Sequence, residues 1–329
     1  MNINEAKSAV LYILKTNPHQ SIMLWGAPGV GKSDAVRQVA EQTGMEVVDM
    51  RLSQMDPVDL RGVPVTKDGR TEFWPPSELP SHSKQLLFLD EANAAPRATM
   101  AAAMQLVLDR QLGQYKVPEG VPIIAAGNRV KDQAVANRMP SALVNRFIHL
   151  EIEPDMGSTV KYGLGNGWPI ELIQFLRFRP NLLHSMPKQQ SDNEGFPSPR
   201  SWDFVVRSKV LEVSDSKMRV HLLTGAVGQG AAIELEGFIR TFSSLPNLDQ
   251  VLADPRNAPI PGETSAKYAV AGALAKKANA AHLSAIMTYL GRFPEREYMA
   301  MVMNDIVATK AELRDTAQVV GWFADNQAA

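Results

Sequence analysis

At 329 residues and 45% apolar, the chain has material for two or three folded units with substantial cores. Its 34 lysines and arginines nearly cancel 35 acidic residues, so a net charge of -1 supplies no general field for nucleic acid or an anionic membrane. The lack of cysteine excludes disulfides, thiolate catalysis and zinc–thiolate or iron–sulfur centres.

The first residues lack the basic stretch and apolar core of a secretory leader, and no apolar run approaches membrane-spanning length, so a soluble cytoplasmic protein is expected. In residues 4–15, Ala6, Val10, Ile13 and Leu14 recur at helical spacing and predict a leading helix. Ser21–Trp25 reads as a short buried strand and 33–43 as a helix. Between them runs Gly26-Ala27-Pro28-Gly29-Val30-Gly31-Lys32-Ser33. A glycine loop in that context lets backbone N–H groups close on phosphate oxygens at a helix N-terminus. Lys32 is expected to reach the β- and γ-phosphates, and the Ser33 hydroxyl to coordinate magnesium. The chain is therefore expected to bind a nucleoside triphosphate.

Further apolar strands are expected at 46–50, 85–89, 121–125 and 147–152, with a helix at 97–109 between the third and fourth of the five. Alternating strands and helices predict a parallel sheet covered by helices on both faces, with the ligand beyond the C-terminal strand ends. The interval 52–80 interrupts this alternation, and Asp68-Gly69 within it predicts a hairpin turn. Past Pro154, helices are expected at 170–178, 201–212, 218–225 and 230–243, with a polar loop over 186–199. A Pro/Gly-rich link at 254–262 precedes a helical tail over 265–326, either a separate small bundle or part of the second domain. The organisation expected is a core at 1–154, a linker and helical lid at 155–254, and a helical extension at 255–329.

The strand Leu86-Leu87-Phe88-Leu89 ends in Asp90-Glu91. Asp90 is placed to complete a magnesium shell through water, and Glu91 to orient or activate the attacking water. Asn128 ends the next strand, where it is a turn residue or a contact to the γ-phosphate and the lytic water. Arg146 precedes the last core strand. It is a candidate to stabilise charge on a transferred phosphoryl group from a neighbouring subunit, with Arg138 a second candidate. Arg200, in Ser198-Pro199-Arg200, opens a helix from which it can reach over the nucleotide; Pro199 suits that first turn. Trp202, Phe204, Trp322 and Phe323 read as packing groups, and the six histidines show no ligand spacing.

With these residues in place, the first two-thirds of the chain resembles the AAA+ superfamily, and within it the MoxR-like branch near McrB and midasin. Gly26–Ser33 resembles Walker A and Leu86–Glu91 Walker B; Asn128 falls at sensor 1, Arg146 at the arginine finger and Arg200 at sensor 2. Asp59-Leu60-Arg61-Gly62 and the following hairpin resemble the helix 2 insert of that branch. The resemblance implies a P-loop NTPase: a three-layer α/β/α core with a five-stranded parallel sheet, an α-helical lid and a helical C-terminal region. It also implies ATP and Mg2+ as cofactors and a homo-oligomeric ring, usually a hexamer. Such rings remodel or activate a protein substrate, often with a von Willebrand factor A domain adaptor. The insert, with Phe73 and Trp74, would lie near the pore or on a ring face. Two alternatives stay open: a DNA-linked translocase related to restriction motors, and a nucleotide-gated structural assembly.

Overall fold

The computed structural model describes residues 1–132, 137–187, 195–243, 245 and 247–326, leaving 188–194 of the expected loop outside the described residues. The chain divides into two compact units, Met1–Asp155 and Met156–Ala329.

The first unit opens with α1 (Ile3–Thr16), whose N-terminus is closed by a capping box between Asn2 and Glu5. β1 (Ser21–Trp25), α2 (Lys32–Thr43) and β2 (Glu46–Arg51) follow. The interval after β2 folds into α3 (Pro57–Arg61) and an antiparallel pair, β3 (Val63–Lys67) and β4 (Arg70–Trp74). Asp68 and Gly69 both take positive φ, 50° and 73°, as the twist of a two-residue hairpin requires. β5 (Gln85–Asp90), α4 (Arg97–Asp109), the short pair β6 (Gln111–Leu112) and β7 (Tyr115–Lys116), β8 (Ile123–Gly127), α5 (Ser141–Val144) and β9 (Phe147–Glu151) complete the unit.

Five strands form one parallel sheet in the order β2-β5-β8-β1-β9. Alternate side chains serve opposite faces, as the two-residue strand period demands. Ile22, Leu24, Leu86, Phe88, Ile124 and Ala126 pack with α1 and α2, while Met23, Leu87, Leu89, Ile123 and Ala125 pack with α4. Both faces are covered over the centre of the sheet, so β5, β8 and β1 read as continuous apolar runs, whereas the edge strands β2 and β9 keep polar and exposed positions. This is the three-layer α/β/α P-loop NTPase architecture. β8 lies two residues beyond the expected 121–125 because Pro122 has no N–H to give the ladder; its carbonyl accepts from Leu87 N at 3.0 Å.

The second unit is helical: α6 (Met156–Gly165), α7 (Ile170–Phe178), α8 (Pro199–Arg207), α9 (Ser216–Val227), α10 (Gln229–Ser243), α11 (Leu248–Ala253), α12 (Thr264–Lys277), α13 (Leu283–Leu290), α14 (Glu297–Thr309) and α15 (Ala317–Asn326). The helix expected over 201–212 stops at Arg207, and Lys209 turns left-handed (φ 52°) before a 3-10 turn at Val210–Glu212. Trp202 is fully buried, edge-on to Phe175 at 5.9 Å, and its indole N–H donates to Leu182 O at 2.8 Å. Phe204 corrects the expectation of packing. Two positions past Trp202 on the helix it leaves the buried face, and 54% of it is exposed. Trp322 and Phe323 are partly buried against the apolar cluster of α12–α14.

Asp305 of α14 is 1% exposed and takes a bidentate bond from Arg177 of α7, at 2.6 and 2.7 Å, plus one from Gln174 Nε2 at 3.2 Å. Removing one member of a buried pair strands the other charge. Arg177→Met is therefore expected to cost the second unit about 3–5 kcal/mol, read by urea denaturation. R177M/D305L should recover most of that loss, because both charges leave together. A single variant within error of the parent would contradict this.

Candidate functional site

β1 delivers the chain at Trp25 into the glycine loop, which returns through Gly31 (φ 93°) to begin α2. A residue with a Cβ resists that left-handed conformation. No side chain caps α2 among the described residues, so its first N–H groups and the positive end of its dipole face the loop. Lys32, 8% exposed, is the hub of the site: Nζ donates to Gly26 O at 2.7 Å, Ala27 O at 3.0 Å and Asn128 Oδ1 at 2.9 Å. An ammonium held by three oxygens at a helix N-terminus is preorganised for a phosphate oxygen.

β5 and β8 flank this loop from the same sheet edge. The Ser33 hydroxyl donates to Asp90 Oδ2 at 2.9 Å, bringing together the two residues expected at magnesium. A hydroxyl beside a carboxylate is a hard-oxygen pair of the kind Mg2+ takes, with phosphates and water filling its shell. Among the described residues no group of three or more His, Cys, Asp or Glu is placed to hold a metal ion.

Glu91 is exposed and left-handed (φ 51°), a conformation glutamate seldom adopts and one that concentrates at reactive positions. Its backbone N–H donates to Asp90 Oδ1 at 2.9 Å, and its carboxylate accepts a short hydrogen bond from the Ser53 hydroxyl. Next to Asn128, Arg129 is bound by Asp132 at 2.8 Å, Glu151 at 2.6 Å and Glu153. Those acids, Asp132 foremost, hold its guanidinium above its ordinary pKa, and Arg129 with Lys131 holds Glu151 below the usual carboxylate range. The residue after Asn128 is thereby pinned to the end of β9.

The structure thus gathers Gly26, Ala27, Pro28, Gly29, Val30, Gly31, Lys32, Ser33, Asp90, Glu91 and Asn128 at the C-terminal ends of β1, β5 and β8. It does not bring Arg146 there. Ser21 pairs with Phe147, so Arg146 sits beside the start of β1, a full strand from the loop at its end. Arg146 and Arg138 are exposed, and neither guanidinium makes an ion pair among the described residues. Arg200, also exposed, lies in the second unit on the first turn of α8. Ser53, Asn93 and Arg129 are contacts that the motifs do not mark; Ser53 and Asn93 act across 38 and 35 residues, and Arg129 joins its near neighbour Asp132 to the distant Glu151 and Glu153. Trp25, at the end of β1, donates its indole N–H to His149 Nδ1 at 2.7 Å.

Residues 22–153 match the family described as "ATPase family associated with various cellular activities (AAA)". The ATPase family gene 2 protein homolog B of Mus musculus is 31% identical over 131 residues, covering 37% of this chain and 17% of that protein. Its Homo sapiens counterpart is 30% identical over 129 residues, covering 37% and 16%. The chain thus spans about a sixth of the length of these relatives. Among solved structures, a Thermotoga maritima RuvB mutant aligns with a TM-score of 0.42 at 14% identity, covering 92% of this chain and 95% of that one. NtrX from Brucella abortus in complex with ATP aligns at 0.37 and 13%, covering 95% and 68%. No described helix is long and apolar enough to cross a membrane. With the phosphate loop, the Asp90-Glu91 strand end and Asn128 assembled on this sheet, residues 22–153 form an AAA+ ATPase domain.

Proposed function

We propose that the protein is a magnesium-dependent ATPase of the MoxR-like branch, working as a homo-oligomeric ring that remodels or activates a protein partner. The observation that carries the reading is the Lys32 ammonium, shared between the loop carbonyls and the Asn128 amide. A γ-phosphate on Lys32 is within reach of Asn128, so the site has a means of registering whether that phosphate is present.

Lys32 and the loop N–H groups hold the β- and γ-phosphates. Magnesium between Ser33, Asp90 and the phosphates would neutralise charge on the transferred group. Glu91 takes a proton from water as the water oxygen bonds to the γ-phosphorus and the bond to the bridging oxygen breaks, releasing ADP. Ser53 holds one side of that carboxylate and fixes its direction. Arg146 reaches the site of the neighbouring subunit, in keeping with its distance from its own loop. Arg200 would couple the helical unit to the phosphate state. Partner contact is assigned to the insert, where Val58, Val63 and Trp74 are 67%, 67% and 64% exposed. The von Willebrand factor A domain adaptor belongs to this same reading.

Light scattering on Glu91→Gln tests the assembly. With ATP and magnesium it should run at several times the 36.1 kDa chain mass, and chelating the magnesium should reverse this. A monomer at saturating ATP and magnesium would rule out the ring.

A further inference from the structure

Asn93 is 1% exposed, two residues beyond Glu91, and its side chain meets Asn128 in two directions, with a longer bond from Nδ2 to Asn137 O at 3.5 Å. Its Nδ2 donates to Asn128 O at 2.8 Å, and its Oδ1 accepts from Asn128 N at 3.1 Å. That exchange imitates a ladder pair. The β5–β8 ladder ends at Leu89 and Ala125, and the chain after β5 turns but stays in register through Ala92 N to Ala126 O at 2.8 Å. The Asn93 amide then supplies the next rung from a side chain. Gly127 makes room for it: a Cβ there would lie 2.5 Å from Asn93 Oδ1 and 2.7 Å from Met23 Cε. The backbone of Asn93 extends the same clamp, since its carbonyl accepts from Asn137 N at 2.7 Å while Asn137 Nδ2 donates to Ala95 O at 3.0 Å.

We propose that Asn93 is the positioning residue that sets Asn128 on Lys32, tying the turn that carries Glu91 to the strand end that contacts the phosphate. The inference rests on the reading of Asn128 as a γ-phosphate contact. Asn93 itself touches neither nucleotide nor water. With the clamp gone, the Asn128 backbone loses both partners, and its side chain loses the fixed origin that places Oδ1 2.9 Å from Nζ. Small misplacements of this kind act on the rate more than on binding.

The test is a double-mutant cycle on the full chain, with ATP turnover at saturating ATP and the affinity for a non-hydrolysable ATP analogue as readouts. Asn93→Ala should lower kcat about tenfold or more while the analogue affinity stays within about threefold. In an Asn128→Ala background the same change should remove no more than about a further threefold, because both act through one group. Gly127→Ala, which crowds Asn93 from the opposite side, should reproduce the Asn93→Ala phenotype. If N93A does not fold, Asn93→Asp keeps the shape but turns a carboxylate oxygen toward Asn128 O, and the same losses apply. Parental kcat in a folded N93A or N93D, beside an impaired N128A, overturns the positioning role alone. So does a loss that multiplies in full with that of N128A, which is what general loosening of the core would give. Parental turnover in N128A itself would instead remove the underlying reading of Asn128.

Discussion

Glu91→Gln should bind ATP as the parent does while its turnover falls about 10²–10⁴-fold, the usual contribution of a positioned general base. The substitution keeps the size of the side chain and its ability to accept from Ser53, and removes only the capacity to take a proton. The carboxylate is exposed at the tip of β5, next to the Ser33–Asp90 pair, so nothing in the core depends on it. Analogue titration and steady-state turnover on the same preparation separate the two effects. Unchanged affinity with lost turnover supports the assignment. A turnover close to the parent's would move the water-activating role to another residue, and a loss of affinity would make Glu91 a ligand contact instead.

Arg146→Ala should be as severe, lowering kcat about 10³-fold or more at high protein concentration, the range for a cation that completes a phosphoryl-transfer site. Its position makes the case. Phe147 pairs with Ser21 at the start of β1, whereas the phosphate loop leaves the other end at Trp25, about 15 Å of strand away. An arginine there cannot serve its own chain's phosphate. Its backbone is nevertheless held: the Arg146 carbonyl accepts from Gln20 Nε2 at 3.0 Å and its N–H donates to Leu143 O at 3.0 Å. The guanidinium is thus exposed on a fixed mount, as a group offered to a neighbour should be. Analogue affinity should change far less than kcat, because the charge it meets develops mainly during transfer.

Much of this fold could be read from local pattern. The central strands are apolar at successive positions because both faces of the sheet are covered there, and the glycine loop and the Asp90-Glu91 terminus each mark a strand end. Those signals put Lys32, Ser33, Asp90 and Asn128 at one end of the sheet without any long-range knowledge. What escaped is what depends on partners distant in sequence. Asn93 meets Asn128 across 35 residues and Ser53 meets Glu91 across 38, and a lone asparagine or serine in a turn announces neither. The left-handed backbone of Glu91 has no sequence marker either, since non-glycine residues enter that region only when their surroundings hold them there. Phe204 reads as a core residue by type and lies on the wrong side of α8 by angle, which only the buried positions of Trp202 and Val205 reveal.

The shared pocket is tested most directly by mixing two inactive proteins, Arg146→Ala and Glu91→Gln, and following ATP hydrolysis. Each lacks one half of the machinery. Where an R146A protomer presents its intact Glu91 to a neighbour carrying Arg146, one complete site forms. The mixture should hydrolyse ATP well above the sum of its components, with a maximum near equal proportions. A mixture that never exceeds that sum at any ratio, in oligomers shown to contain both chains, would mean that the site is not completed by the neighbouring subunit.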